Sequence, residues 1–263
     1  MKGPAGVMAL VLAEMGAGAA GFLFLTPLWK EVRRGFFYLT GSVSLVLAAA
    51  AAGTGAGAYD RQTASRGHLA VILAIALAGA TLLWLVLVAL RTQLLGRILG
   101  IATVPLAAAM LFAFARTTDE STALSFFELV AGAVFTGAVL DGLLLGHWYL
   151  TDRKLTRGPI NRMAWLLIGS VAVEAAAVLA GGFGGAKAGS TATSSLNPLL
   201  TVAGSATWIA IGMVACTGLI AVFIRLTLRG ARPTAVQSAT GFFYLAVITA
   251  VTAEIASKVR FLP

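Results

Sequence analysis

Long apolar segments alternate with short polar connections along the whole chain, and this alternation decides the fold class. The apolar runs reach roughly 20 residues, which as a helix is long enough to cross a bilayer core of about 30 Å. The pattern predicts an all-α, polytopic transmembrane helix bundle of about eight spans, arranged as four hairpins. The chain is expected to form one integral membrane domain, 1–263, with spans at roughly 6–29, 36–57, 68–90, 98–115, 124–150, 163–184, 198–226 and 237–256.

Composition and charge support a membrane location. Of the 263 residues, 59% are hydrophobic and 11% are charged, against about 25% charged in an ordinary soluble domain. The net charge of +9 does not indicate nucleic-acid binding, because the basic residues lie in short connections where they mark topology and contact lipid headgroups. Twelve basic residues on one side against seven on the other predict a cytoplasmic-membrane protein with both termini outside. The richer side holds Lys30, Arg33, Arg34, Arg91, Arg97, Arg153, Lys154, Arg157, Arg162, Arg225, Arg229 and Arg232.

Cysteine and histidine usage limits the possible cofactors. The single cysteine, Cys216, excludes an internal disulfide, a cysteine-ligated iron–sulfur cluster and a thiolate zinc site. The two histidines, His68 and His147, are predicted at opposite membrane faces, about 30 Å apart, which excludes a bis-histidine haem. We therefore expect no haem or iron–sulfur cluster in this chain. Motifs of soluble enzymes are missing, so whether the chain takes part in an enzyme is left open.

Carboxylates inside the predicted spans are candidates for function, because charge in hydrocarbon is costly. Glu14, Asp141 and Glu174 have no basic neighbour at helical spacing, so each is expected to be neutral or to face another helix or a water path. Glu128 lies near a span end, and its simplest interpretation is that it reaches out to the membrane surface. Glu254 precedes Lys258 by four residues, the spacing of a helical ion pair.

The segment 125–162 combines intramembrane charge, an imidazole, aromatic residues and a basic turn. His147 is followed by Trp148 and Tyr149, a grouping that also suits the aromatic belt at a helix end. As functional groups, His147 and Tyr149 would donate hydrogen bonds to a quinone headgroup, and His147 would pass a proton. Three basic residues of the following turn would favour an anionic semiquinone or quinol: Arg153, Lys154 and Arg162.

Three further patterns concern the arrangement and packing of the spans. The sequence Gly-Phe-Phe-Tyr-Leu occurs at 35–39 and again at 241–245, which suggests two tandem halves or four repeated hairpins. The Gly142–Gly146 step indicates close helix packing, with room for a flat ligand as the alternative. Pro27 and Pro105 are expected to kink their spans.

Two segments resemble the membrane-anchor family of polysulfide reductase and dimethyl sulfoxide reductase. The last span closes with Ala253-Glu254-Ile255-Ala256-Ser257-Lys258 and then Phe261, similar to the family's Gly-Glu-x-x-Gly-Arg followed by aromatic residues. The first span contains a glycine-rich stretch, 13–22, around Glu14, which also looks like that family. The glycines and the arginine of the closing motif are replaced here, and the first hairpin lacks a histidine. The resemblance implies an eight-span bundle that binds quinol and docks an iron–sulfur subunit.

The leading functional hypothesis is an integral membrane subunit of an electron-transfer complex that binds quinone or quinol and exchanges electrons with iron–sulfur or other redox partner subunits. The alternatives are an ion-coupled transporter or channel and a non-catalytic anchor or assembly subunit. In the leading hypothesis the chain itself carries no redox metal. The residues expected to bind quinone or relay protons are Glu14, Asp141, His147, Tyr149, Glu174 and Glu254.

Overall fold

The structure, a computed structural model, describes residues 3–25, 31–58, 65–118, 120–152, 154–184, 202–230 and 234–259. Within these residues the fold is entirely helical, and all eight helices are long and apolar enough to cross a membrane, as predicted. The helices are α1 Gly3–Leu25, α2 Arg34–Ala58, α3 Ser65–Ala89, α4 Gln93–Ala115, α5 Thr122–Thr151, α6 Gly158–Gly184, α7 Val202–Arg229 and α8 Ala235–Lys258.

Two helices begin five residues before their predicted starts. α4 begins at Gln93 rather than at 98, because Gly96 and Arg97 lie within its first turns and not in a loop. α6 begins at Gly158 rather than at 163, and Pro159 lies in its first turn, where a missing N–H costs no helical hydrogen bond. α4 continues through Pro105 as one helix. Pro27 lies outside the described residues.

The eight helices form two four-helix halves, α1–α4 and α5–α8. In each half the helices contact their neighbours in chain order, and the first helix also contacts the fourth. The halves meet mainly through α1 and α5, which are the most buried spans. We call the end of the bundle that holds the turns after α1, α3, α5 and α7 the basic end, and the opposite end the termini end.

α1 and α5 cross at two glycines. A Cβ on Gly18 would collide with the backbone of Ala133 and Gly137, and a Cβ on Gly137 would collide with the backbone of Gly18. Four residues earlier in α1, Glu14 lies against Gly132 of α5, so the two helices run parallel. Backbones this close need glycine on both sides, as at tight helix crossings in membranes. The two halves are therefore joined by direct contact between the main chains of their first helices.

The Gly142–Gly146 step packs closely against α8. The Phe243 ring lies against Gly142 and the Thr240 side chain against Gly146, so protein side chains fill the space that a flat ligand would need. The close-packing interpretation is confirmed.

The repeated Gly-Phe-Phe-Tyr-Leu sequence lies at the start of α2 but begins six residues inside α8. Because α2 is the second helix of its half and α8 is the fourth helix of its half, two tandem halves do not account for the repeated sequence.

Candidate functional site

A lysine and two glutamates meet inside the bundle near the termini end. Lys258 Nζ lies 2.8 Å from Glu14 Oε1 and 3.2 Å from Glu254 Oε2. The lysine side chain is 2% exposed, and both glutamate side chains are fully buried. Lys258 also donates a hydrogen bond to Ser257 Oγ at 3.4 Å. The pairing of Glu254 with Lys258 is confirmed, whereas their contact with Glu14 was not foreseen.

Gly132 makes room for the two glutamates. A Cβ at this position would lie 2.8 Å from Glu14 Cδ and Oε1 and 2.8 Å from Glu254 Oε2. The α5 backbone therefore forms one wall of the site, and any larger residue would push the carboxylates away from Lys258. The sequence pattern did not indicate this role of Gly132. Only the pairing of α1, α5 and α8 reveals it.

Two further glutamates approach the same lysine. Glu174 of α6 lies close enough to interact electrostatically with Glu254, Lys258 and Glu128. Glu128 and Glu174 line a cavity of about 10 Å³ together with Lys258, which is room for about one water molecule. Ser257 and Thr207 add hydroxyl groups to its wall. We call Glu14, Glu128, Glu174, Glu254 and Lys258 the acid–lysine cluster.

The structure corrects the interpretation of Glu128. Sequence position favoured a side chain that reaches out to the membrane surface. Its side chain is instead buried, with 3% exposure, and lines the water-sized cavity. The reason is its face on α5: Glu128 precedes Gly132 by one helical turn, so it points toward the same interior as Gly132.

Among the described residues, Glu14, Glu174 and Glu254 lie around a single ammonium group, that of Lys258, and all four side chains are buried. Buried carboxylates without a matching charge are costly, so such a group is suited to taking up and releasing protons. A water-sized cavity beside Glu174 and Ser257 adds a place for a bridging water.

Asp141 lies apart from this cluster. It follows Gly132 by nine residues on α5, which is about 13 Å further toward the basic end. Its side chain is fully buried, and neither carboxylate oxygen has a hydrogen-bond partner among the described residues. Between the two positions, the Thr136 hydroxyl donates to the Gly132 carbonyl. The expected buried carboxylate is therefore present, but the structure does not bring it to Glu14 or Glu174.

His147 and Tyr149 point to different partners at the basic end. His147 Nε2 lies 2.7 Å from Tyr244 Oη, and the two rings are nearly perpendicular with centroids 5.3 Å apart. Tyr244 is 47% exposed, so this pair reaches the outer surface of the bundle. Tyr149 is buried and donates its hydroxyl hydrogen to the Thr156 carbonyl in the following turn. The two residues do not form one donor pair, and the partner of His147 was missed.

The basic turn after α5 is partly neutralised. Arg162 Nη1 lies 2.9 Å from Glu31 Oε1, and the Thr156 hydroxyl donates to Glu31 Oε2 at 2.6 Å. The hydrogen bond from Thr156, and then the neighbouring Arg162, lowers the pKa of Glu31. The charge of Arg162 is therefore matched locally and is not free to favour an anion near His147. Lys154 is exposed, and Arg153 lies outside the described residues.

The histidines and acids do not form a metal site in the part of the chain that the structure describes. His68 lies in the first turn of α3 at the termini end, and His147 lies near the end of α5 at the basic end. No group of three or more His, Cys, Asp or Glu side chains there has an arrangement that could hold a metal ion.

Comparison with known proteins assigns the chain to no family. No model of a protein family matches the chain, and neither does any curated protein or solved structure.

Proposed function

We propose that this chain is the integral membrane subunit of an electron-transfer complex, where it binds quinone or quinol and relays protons. The acid–lysine cluster acts as the proton-exchanging station at the termini end. Electrons come from or go to a partner subunit, because the proposal assigns this chain no redox group of its own.

The observation that carries this proposal is the contact of Lys258 with both Glu14 and Glu254. These glutamates lie in the two segments that resemble the quinol-binding anchor family, one in the first span and one in the last. The resemblance was based on separate stretches of sequence, and the fold joins them through one buried lysine. A shared role of the two segments would explain why Glu14 and Glu254 contact the same lysine.

Each carboxylate has a part in the proposed relay. Glu174 and Lys258 line the water-sized cavity, and Glu174 exchanges protons through it with the Glu14 and Glu254 carboxylates that contact Lys258. Asp141 is the next station toward the basic end, beyond the Gly18–Gly137 crossing. Because Thr136 already donates to a backbone carbonyl, a transient water chain is needed to connect the two stations.

The quinone headgroup is proposed to contact His147 rather than the cluster. The cavity at the cluster has room for about one water, which is too little for a quinone ring. The His147–Tyr244 pair lies at the outer surface of the bundle, where a quinone ring arrives from the lipid. Either ring can donate one hydrogen bond to a quinone carbonyl.

The test begins with purification of the chain and its partners in mild detergent, with mass spectrometry of every bound chain and lipid. Quinone turnover is then measured in His147→Ala and Glu254→Gln. Both variants should slow turnover while the complex remains intact. Glu120→Gln is the control, because Glu120 lies at the termini end outside the cluster. Normal rates in both variants, or a chain that purifies alone without quinone, would contradict the proposal.

An ion-coupled transporter is the second candidate, because two four-helix halves with a charged cluster near their junction also suit alternating access. In that case the chain alone, in liposomes, should carry out proton-dependent solute uptake that Glu174→Gln abolishes. Uptake that is absent or unchanged in this variant would count against the transporter.

A further inference from the structure

A cavity of about 730 Å³ opens at the basic end of the first half, at the opposite end of the bundle from the acid–lysine cluster. All four helices of that half contribute to it. Its apolar wall contains Phe24 of α1, Phe37 of α2 and Trp84 of α3, and the Trp84 ring contacts each of the two phenylalanine rings edge to face. Gly100 of α4 completes the wall, and a Cβ there would lie 2.7 Å from the Phe24 ring.

Among the described residues, three arginines line the same cavity, and no carboxylate does. Arg34, Arg91 and Arg97 lie around it. The two described carboxylates in the turns of the basic end are engaged elsewhere: Glu31 pairs with Arg162, and Asp152 pairs with Arg33. Among the described residues the cavity therefore has three positive charges with no acidic partner, above an aromatic wall.

The backbone at Arg91 supports a role for its side chain. Arg91 has φ 58°, and it is the one non-glycine residue with positive φ in the described part of the chain. It ends α3 in a Schellman arrangement, in which Thr92 N–H donates to the Leu87 carbonyl and Arg91 N–H to the Val88 carbonyl. Glycine is the favoured residue in this conformation. An arginine here accepts unfavourable backbone geometry and places a cation at the cavity.

Helix ends add to the positive potential. α4 begins at Gln93, directly after Thr92, and α2 begins at Arg34. The Thr92 side chain does not cap α4, because its hydroxyl donates to the Leu87 carbonyl. The positive end of α4 is therefore not capped by Thr92, and Leu94 and Gly96 of its first turn line the cavity.

We propose that this cavity binds an anionic phospholipid, with the phosphate among Arg34, Arg91 and Arg97 and the upper acyl chains against the aromatic wall. The volume suits a headgroup and the first part of its chains. A guanidinium group matches phosphate geometry, and basic pockets between spans bind acidic headgroups. Phosphatidylcholine fits less well, because its own cation would meet the three arginines. This proposal does not depend on the proposed function.

The test uses the purified, delipidated full chain and native mass spectrometry. Phosphatidylglycerol and phosphatidylcholine with identical acyl chains are titrated separately, and inorganic phosphate is added in a third series. Wild type should retain phosphatidylglycerol selectively. Arg91→Gly should weaken it about five-fold, and Arg91→Gly with Arg97→Gln about 25-fold.

Arg91→Gly separates lost binding from misfolding, since glycine suits φ 58° and the fold should be at least as stable without lipid. Arg229→Gln is the matched control, because Arg229 is an exposed arginine in the last turn of α7 at the basic end, outside the cavity. Unchanged phosphatidylglycerol binding in the double variant would overturn the proposal. So would equal retention of both lipids, or competition by free phosphate at the same concentration as lipid. An equal loss in Arg229→Gln would show general surface charge rather than a site.

Discussion

Replacing Lys258 with methionine is the sharpest test of the acid–lysine cluster. Methionine keeps the length of the side chain and removes the ammonium group that Glu14 and Glu254 share. Two unit charges 2.8 Å apart attract by about 6 kcal/mol at an effective dielectric constant of about 20, and by about 5 kcal/mol at 3.2 Å. Desolvation of the buried ions offsets much of this attraction.

The variants should differ in a defined order. Lys258→Met leaves both glutamates without a cation, so it should destabilise the protein by about 3–5 kcal/mol. Glu14→Gln should cost less, about 1–2 kcal/mol, because Lys258 keeps Glu254 at 3.2 Å. In the double variant only Glu254 loses its cation. The destabilisation of the double variant should therefore be smaller than the sum of the two single destabilisations, by about 1 kcal/mol or more.

The assay is reversible unfolding in mixed micelles, followed by the fluorescence of the five tryptophans. Lys154→Met is the matched control, because it makes the same substitution at an exposed lysine and should change stability by less than about 0.5 kcal/mol. Additivity of Lys258→Met and Glu14→Gln within about 0.5 kcal/mol would refute the reasoning, since independent sites add in this way. It would mean that Glu14 and Lys258 do not interact in the folded protein.

Three further predictions concern single positions. Gly132→Ala should cost about 1–3 kcal/mol, because its Cβ meets the carboxylates of Glu14 and Glu254. Gly169→Ala, whose Cβ would meet no atom within 4 Å beyond its own stretch of helix, should be neutral or stabilising in the same unfolding assay. The lowered pKa of Glu31 stabilises the fold above the ordinary glutamate value of 4.5, and this contribution disappears as pH falls through the lowered pKa. Wild type and Glu31→Gln should therefore differ in stability at pH 6 and converge at lower pH; a constant difference would contradict this. If Asp141 relays protons, Asp141→Asn should block proton transfer across liposomes while leaving the stability coupling at Lys258 unchanged, and unaltered transfer would remove Asp141 from the relay.

Much of the fold is readable from the sequence, because span length and apolar composition are local properties. All eight spans were predicted, and the errors at their starts have local causes. Two residue pairs resemble loop sequence: Gly96–Arg97 and Gly158–Pro159. Each pair nevertheless lies in the first one or two turns of a helix. Pro159 is tolerated there because the first N–H groups of a helix have no internal partner, whereas Gly96 continues α4 and donates its N–H to the Thr92 carbonyl.

The site was only partly readable, because sequence position sets the depth of a residue but not which helices are neighbours. Glu14 and Glu254 are separated by 240 residues (254 minus 14), and nothing in their spacing joins them. The i to i+4 spacing identified Glu254 and Lys258 as a pair, since both lie on one helix. The role of Gly132 follows only from the packing of α5 against α1 and α8.

Stability alone does not account for the acid–lysine cluster. Replacing a buried ion pair by well-packed apolar residues is often neutral or stabilising, and this cluster adds a third buried carboxyl group, Glu174, near the same lysine. A helix crossing held by Gly18 and Gly137 already joins the halves without any charge. Among the described residues, the cluster thus keeps Glu14, Glu174 and Glu254 around one lysine, at a cost that packing does not require. Chemistry that needs exchangeable protons inside the membrane is a reason for that cost, and the proposed relay supplies it.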